Sequence, residues 1–464
     1  MKRRKFLQNS AWVSTSLSAG FPLLQSLNMN YSMPAIRIQK VNHNFERERL
    51  KKPFGFKGSA MTEVWQTMAY LENDSGQNSI GMGTQNVLWS DSKVFAQHSE
   101  NGGNALMYAM GERALQILAG NSFETPIQLL DELLPEIWAY GKEITANPDL
   151  RKTFALNALV ALDNAAWLLY AKHHGIQNFD ALIPDQFRGG LSARHSKVVS
   201  IPALGYGSSM EEISTLVDQG FFILKIKIGA PGSQEEMLEK DKEFLYNIHK
   251  TIGHRETPHS KDGKLPYYFD ANGRYEKKET LHRFLDYAEK IGALSQIAVV
   301  EEPFGERNQE EIKDLAERGP RIAADESAHT DEDAKRRIEQ GYNSIAVKAV
   351  AKTLSMTMKI AQVAVEHAIP CFCADLTVNP ILLEWNKAVA ARLPAFPEMP
   401  GLGLQECNGW QNYQDWEKMR SYLPNPNASW IQPKAGVFDT TEDFYTQSGG
   451  LFQTSPYYTN LFKK

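Results

Sequence analysis

The chain has 464 residues, of which 42% are hydrophobic and 23% charged, with a formal net charge of -5. That length accommodates one barrel of about 250 residues together with a substantial second domain. The mild acidity gives no reason to expect nucleic acid or an anionic membrane surface as partner, which leaves a small molecule as the expected ligand.

The N-terminus reads as an address. Lys2-Arg3-Arg4-Lys5-Phe6-Leu7 sets twin arginines before a moderately apolar stretch, Ala11 to Leu27. The segment 1–33 resembles a twin-arginine export signal, which implies a periplasmic or exported protein, or a cytoplasmic one if the signal does not function. No other stretch reaches the roughly 18 unbroken apolar residues of a membrane span.

From Pro34 to about Ala96 the pattern is strand-like: Ala35-Ile36-Arg37-Ile38 alternates, and Val64 to Leu71 forms a second run before the turn Asn73-Asp74-Ser75-Gly76. Residues from about Asn104 to Ala171 carry helical periodicity, as in Pro126 to Tyr140 and Thr153 to Lys172. Strands followed by helices predict an α+β domain over 34–190.

From about Val198 short apolar strands alternate with amphipathic helices, the pattern of βαβ units. Strands are expected at Val198–Leu204, Phe221–Ile228, Tyr267–Phe269, Ala298–Val300, Arg321–Ala324, Ser344–Val347, Ile369–Cys373 and near Leu402–Gln405. Eight such repeats predict an α/β fold, a modified (β/α)8 TIM-type barrel over 191–410, with a surface insertion at His254 to Leu265. Residues 411–464 are an irregular, aromatic-rich tail expected to pack on the barrel or the α+β domain. Cys371, Cys373 and Cys407 have no CxxC partner and read as small apolar core residues.

The chemistry lies where the strands stop. Strand two ends in Lys225-Ile226-Lys227, strand three in Asp270-Ala271-Asn272, strand four in Glu301-Glu302-Pro303, strand five in Asp325-Glu326-Ser327 and strand six in Lys348. C-terminal strand ends are where barrel enzymes keep their active sites. Three carboxylates converging there would repel unless a cation neutralised them, and an all-oxygen donor set suits Mg²⁺, with Mn²⁺ as the alternative. Residues two apart on a strand face the same way, so Lys225 and Lys227 both point into the barrel while Lys348 approaches from the opposite wall. Lysines beside a bound metal would have lowered pKa values, which makes one of them a plausible general base. By the same alternation Glu302 and Glu326 point outside and read as salt-bridge partners, and Lys352 reads as a surface or helix-start residue. His329 and the His173-His174 pair lack partners at metal-ligand spacing, and Gly229-Ala230-Pro231-Gly232 is no phosphate loop.

This K-x-K, D-x-N, E-x-P, D-E-S and Lys series resembles the enolase superfamily, in its branch of muconate lactonizing enzymes, dipeptide epimerases and succinylbenzoate synthases. Leu162-Asp163-Asn164-Ala165-Ala166-Trp167 is similar to the family's helix leading into the barrel, and Lys52-Pro53-Phe54 to the capping-domain loop that closes over substrate. The likeness spans roughly Lys51 to Pro394. It implies that Asp270, Glu301 and Asp325 are metal ligands, that Lys227 and Lys348 are the acid/base pair, and that Lys225 and Asn272 help to bind substrate. It further implies a racemase or epimerase abstracting the α-proton of a carboxylate, plausibly an amino-acid derivative or dipeptide, through an enediolate. A lyase (dehydratase) or cycloisomerase shares that enediolate, and a non-catalytic exported binding protein is the alternative of another class; besides the small carboxylate, the expected partner is a second copy of the chain in a homo-oligomer. Mandelate-racemase-like members use a histidine of the seventh strand, whereas the last histidine here, His367, precedes that strand. Dipeptide epimerases carry Asp-x-Asp on the eighth strand, where this chain has Gly403-Leu404-Gln405-Glu406-Cys407-Asn408. Asp375, just past strand seven, and Glu406 are the expected replacements that bind substrate.

Overall fold

Strand β1 (Ile36–Phe56) pairs antiparallel with β2 (Ser59–Asn73), which pairs with β3 (Asn78–Gln85), while the short β4 (Ser122–Phe123) joins the far edge of β1. The computed structural model describes residues 34–56 and 58–463, so the export-signal reading of 1–33 lies outside the described residues. The β2–β3 turn forms at the expected Asn73-Asp74-Ser75-Gly76, where Gly76 takes a φ of 78° and its N–H donates to Asn73 O at 3.0 Å. The β1–β2 register shifts between Arg49 and Phe54, across Pro53, which has no N–H to give a ladder. Beyond the shift Phe54 pairs with Met61, and this hairpin end reaches over the barrel.

Helices α1 (Val87–Ser90), α2 (Ser92–Leu118), α3 (Pro126–Ile144) and α4 (Lys152–His173) complete the capping domain. Helix α2 begins inside the stretch that alternation assigns to strand. The Asp91 carboxylate accepts from Lys93 N at 3.0 Å and Val94 N at 3.2 Å, an N-cap that local apolar alternation does not reveal. By length and composition α4 is apolar enough to cross a bilayer, but it is buried within the protein. It lies so close on β3 that a Cβ at Gly81 would stand 2.1 Å from Ala161 O. Only glycine permits that approach.

The barrel starts with one extended segment in two pieces, β5 (Lys197–Ile201) and β6 (Ala203–Leu204), interrupted at Pro202. Then follow β7 (Leu224–Lys227), β8 (Tyr267–Asp270), β9 (Ile297–Glu301), β10 (Arg321–Ala324), β11 (Ser344–Val347), β12 (Cys371–Cys373) and β13 (Gly403–Glu406), all parallel to their neighbours. β13 pairs with β5 and β7 pairs with β6, so the two halves of the first strand close the ring. A last strand, β14 (Val437–Asp439), adds antiparallel to β5. Every expected barrel strand is present within a few residues.

Helices α5 (Met210–Asp218), α6 (Gln234–Ile252), α7 (Lys278–Lys290), α8 (Asp331–Gln340), α9 (Leu354–Glu366) and α10 (Pro380–Ala390) surround the barrel. Reciprocal capping boxes start three of them, at Ser209/Glu212, Ser233/Glu236 and Thr330/Asp333. Their apolar faces form one continuous core with the capping domain. The insertion closes as a short turn, with Thr257 N donating to Gly263 O at 2.9 Å. The tail touches both domains: β14 lies on the barrel, and Tyr457 Oη donates to Glu46 Oε1 of β1 at 2.6 Å. The three cysteines are free and buried.

Candidate active site

In β7 the pleat turns Ile226 into the core and sends Lys225 and Lys227 to the barrel interior. Parallel register then lines up Lys227, Asp270 and Glu301 in one row across β7, β8 and β9. Because β10 pairs Ala323 with Glu301, Asp325 stands two residues beyond that row, and Lys348 follows the end of β11. A narrow cavity is lined by Lys225, Lys227, Asp270, Asn272, Asp325, Lys348, Asp375 and Glu406 from the barrel and by Phe54, Met61, Leu88 and Trp89 from the capping domain. Glu301 reaches the same group through Lys225. All the residues singled out at the strand ends therefore meet.

Lys225 is 3% exposed and its ammonium stands among three carboxylates, 3.0 Å from Asp270, 2.9 Å from Glu301 and 3.0 Å from Glu406. Lys227 donates to Asp270 Oδ2 at 2.5 Å and to Asn272 Oδ1 at 2.7 Å. Lys348 donates to Asp325 Oδ2 at 2.5 Å, and its Nζ lies 4.3 Å from the centre of the Trp89 ring. Burial pulls the Lys225 pKa down, but Asp270, Glu301 and Glu406 outweigh it and hold it well above the ordinary value. Lys348 is likewise raised, burial being outweighed by Asp325. The protein's own charges thus act opposite to the lowering expected of lysines beside a metal. Asp270 is brought to about 2, its burial overcome by Lys225 and Lys227. Glu301 moves the other way, well upward, through burial and the adjacent Asp270.

Two sequence expectations about neighbouring carboxylates fail for one reason. Glu326 is fully buried, because strand alternation ceases at Ala324 and the loop turns its carboxylate inward. Glu302 leaves the strand with a φ of 38°, strained for a residue with a Cβ, and its Oε2 accepts from Asp325 N at 2.7 Å and Ser327 N at 3.3 Å. Burial and Glu326 push the Glu302 pKa up to about 8. Lys352 is not on the surface either: Lys352 N donates to Lys348 O at 2.7 Å, a turn that brings its ammonium back to Asp325 O, also at 2.7 Å. Burial lowers its pKa.

One oxygen each from Glu301, Asp325 and Glu326 lie within 4.8 Å of one another, all buried, and Glu326 Oε2 has no hydrogen-bond partner. A hard divalent cation such as Mg²⁺ fits this donor set, since it would neutralise carboxylates that burial and mutual repulsion destabilise. Asp270 stands one strand over, held between Lys225 and Lys227. Tyr268, two residues before Asp270 and so on the same face, donates its hydroxyl to Glu301; this period-two spacing was a readable signal.

Asp375 and Glu406 are engaged with the protein itself. Asp375 accepts from Leu376 N at 2.7 Å, Val378 N at 3.2 Å and Asn408 N at 2.9 Å. Glu406 accepts from Lys225, from Asp375 N at 2.9 Å and from Asn408 Nδ2 at 3.1 Å. Trp89, Asn408 and Arg151 were not foreseen. Arg151 Nη1 donates to Trp89 O at 2.7 Å and Ser90 O at 3.0 Å, and Nη2 donates to Glu326 O at 3.2 Å, while the guanidinium pairs with Glu306. It ties the capping domain to the loop after β10.

A roomier cavity of about 370 Å³ lies between β3, α4, α10 and the tail, but none of the strand-end residues lines it.

Residues 208–420 match the family described as Enolase C-terminal domain-like. A sequence search of curated proteins finds no match. Among solved structures, a dipeptide epimerase from Enterococcus faecalis V583 complexed with Mg and the dipeptide L-Leu-L-Tyr is 18% identical, covering 82% of this chain and 92% of that chain with a TM-score of 0.57. The L-Ala-D/L-Glu epimerase from Bacillus subtilis is 15% identical, with 82% and 92% covered and a TM-score of 0.58. A mandelate racemase/muconate lactonizing protein from Herpetosiphon aurantiacus is 14% identical, with 87% and 96% covered and a TM-score of 0.61. At these identities the structures speak for the fold, and the family match speaks for the barrel. Residues 208–420 thus match the enolase C-terminal domain-like family, and the capping domain and barrel together share the fold of these solved structures.

Proposed function

We propose that this protein is a Mg²⁺-dependent racemase or epimerase that moves the α-proton of a small carboxylate substrate between two lysines. The observation that carries the reading is the placement of Lys227 and Lys348. They end the second and sixth of eight barrel strands, four strands apart around the ring, and line one cavity from opposite walls. A carbon held between them presents a different face to each ammonium or amine.

Lys227 is oriented by Asp270 and Asn272, and Lys348 by Asp325 beneath the Trp89 ring. The neutral amine of one lysine takes the α-proton, and the ammonium of the other returns a proton to the opposite face, inverting the centre. Lys225 holds positive charge at the floor of the cavity, beside Asp270 and Glu301. Glu301, Asp325 and Glu326, with Asp270 adjacent, would hold Mg²⁺ or Mn²⁺, which when bound supplies positive charge for the substrate carboxylate and its enediolate. The apolar lid of Phe54, Met61 and Trp89 excludes water from the reacting carbon. Export of the folded enzyme by its twin-arginine-like start belongs to the same proposal.

The test is α-proton exchange in D₂O with Mg²⁺, followed by NMR over amino acids, N-acyl amino acids, dipeptides and hydroxy acids. Deuterium incorporation with loss of optical purity is expected, reduced about a hundredfold or more in Lys227→Met and Lys348→Met, and abolished by EDTA. Elimination products would assign a lyase instead, and absence of exchange with every carboxylate would sink the reading.

A further inference from the structure

The cavity of about 370 Å³ between β3, α4, α10 and the tail is separate from the proton-transfer site. Its size falls in the range of small-molecule pockets, about 300–1,000 Å³. Its walls are apolar at Leu168 of α4 and Ile176 just beyond it, at Ile381 and Trp385 of α10, and at Leu451 of the tail. One charged side chain of α10 stands among them. Glu384 is 1% exposed, and its Oε2 is buried without a hydrogen-bond partner. The other oxygen is taken, since Lys387 Nζ donates to Glu384 Oε1 at 2.5 Å and to Trp430 O at 2.7 Å.

The tail is shaped around that orphan oxygen. Gly449 takes a φ of 62°, and a Cβ there would stand 3.2 Å from Glu384 Oε2 and 3.0 Å from Phe444 Cε2. Glycine keeps open a space beside the carboxylate that an L side chain would fill under strain. A buried acceptor without a donor is costly, and a carboxylate oxygen more so than a neutral one, so in a cavity it points to a ligand that supplies the donor. Charge selects which donor. Glu384 and Lys387 already neutralise each other, so an ammonium would add a net positive charge inside the protein, with Lys172 on the cavity wall as well. An anion would meet the carboxylate itself. A hydroxyl is the smallest uncharged donor, and it completes Oε2 without disturbing the pair.

We infer that this cavity is a second ligand site, built for an uncharged alcohol with an apolar body. The hydroxyl donates to Glu384 Oε2, and the hydrocarbon lies against Leu168, Ile381 and Trp385. The inference stands apart from the two-lysine reading, because none of the strand-end residues lines this cavity. A bound alcohol touches the capping domain through α4, the barrel through α10 and the tail through Gly449, so its occupancy fastens three parts of the chain together. The tail wall, from Leu423 to Tyr458, follows the region 208–420 that matches the family, so the site depends on a segment beyond that match.

The test titrates the full chain with 1-heptanol and 4-phenyl-1-butanol, each beside its methyl ether, and with 4-phenylbutylammonium. Binding is read by ligand-observed NMR and by the shift in thermal midpoint. At least one alcohol is expected to bind about tenfold more tightly than its ether, the worth of one hydrogen bond to a carboxylate, and to raise the midpoint. The ammonium is expected to bind more weakly than the matching alcohol. Ile381→Trp fills the cavity and Gly449→Ala covers Glu384 Oε2, and each should weaken alcohol binding about tenfold or more. The unliganded melt shows whether each variant folds, and Gly449→Ala decides if Ile381→Trp does not. Equal binding of alcohol and ether, tighter binding of the ammonium, or alcohol affinity indifferent to the folded variants overturns the inference. Absence of binding by both alcohols also overturns it and assigns the space to water.

Discussion

Lys225 bonds to carboxylates from three barrel strands, one each on β8, β9 and β13, from a position with almost no solvent. Removing it as Lys225→Met leaves Asp270, Glu301 and Glu406 crowded and uncompensated, whereas removing an exposed lysine costs little. Chemical denaturation of the metal-free variant is expected to lose about 3–5 kcal/mol relative to wild type. An unchanged midpoint would mean that the three carboxylates are neutral or solvated. At this scale the sequence was informative about residues still governed by strand pleat: Lys225, Lys227, Asp270 and Glu301 all sit on or at the end of a strand, and period two aims them. It misled for Glu302, Glu326 and Lys352, which lie past strand ends where alternation has no meaning. It was silent on Trp89 and Asn408, because which loop covers a barrel mouth is settled by tertiary packing.

Between elements, the clearest joint is Asp163 in the middle of α4. Its carboxylate accepts from Leu354 N at 3.0 Å, Ser355 N at 3.2 Å and Ser355 Oγ at 2.5 Å, capping α9 from another domain. That role explains why a charged residue stands in an apolar helix of the capping domain. Burial raises the Asp163 pKa from 3.8 to about 7, against the lowering effect of those hydrogen bonds. A raised folded pKa means that the folded state holds the proton more tightly, so the associated stability is complete below about pH 4 and is lost as pH rises through about 7. The stability advantage of wild type over Asp163→Asn should therefore shrink from pH 4 to pH 7 and then level off. Denaturation midpoints of both proteins across that window test this, and parallel curves would refute it. The barrel helices announced themselves through capping boxes and 3.6-residue periodicity, whereas the start of α2 did not, since its Asp91 cap follows residues that alternate like a strand.

Over the whole molecule, the tail is bound into both halves. Tyr413 is fully buried, and its hydroxyl accepts from Gln66 Nε2 of β2 at 2.8 Å while donating to Thr377 O. β14 covers the edge of β5 left open where the first strand breaks at Pro202, and Tyr445 Oη donates to His195 O at 2.9 Å. Truncation after Trp410 should therefore abolish cooperative thermal unfolding of the entire protein, beyond any trimming of a dispensable extension. A truncated chain that melts like the full one would contradict this. Packing of the tail on the rest of the molecule is expected from its aromatic content, but its internal elements are not legible, because they are only a few residues long and take their order from the surfaces beneath them.

The seam at Pro202 has a further meaning in time. The first barrel strand waits for β13 to pair with one half and for β14 to cover the edge beside it, and these strands lie some two hundred residues later in the chain. Nascent β5 can hold none of its final partners while the intervening strands are still being synthesised. Closure of this ring is consequently a late event in folding, and any chaperone that attends the chain would meet the unpaired edge of residues 197–201.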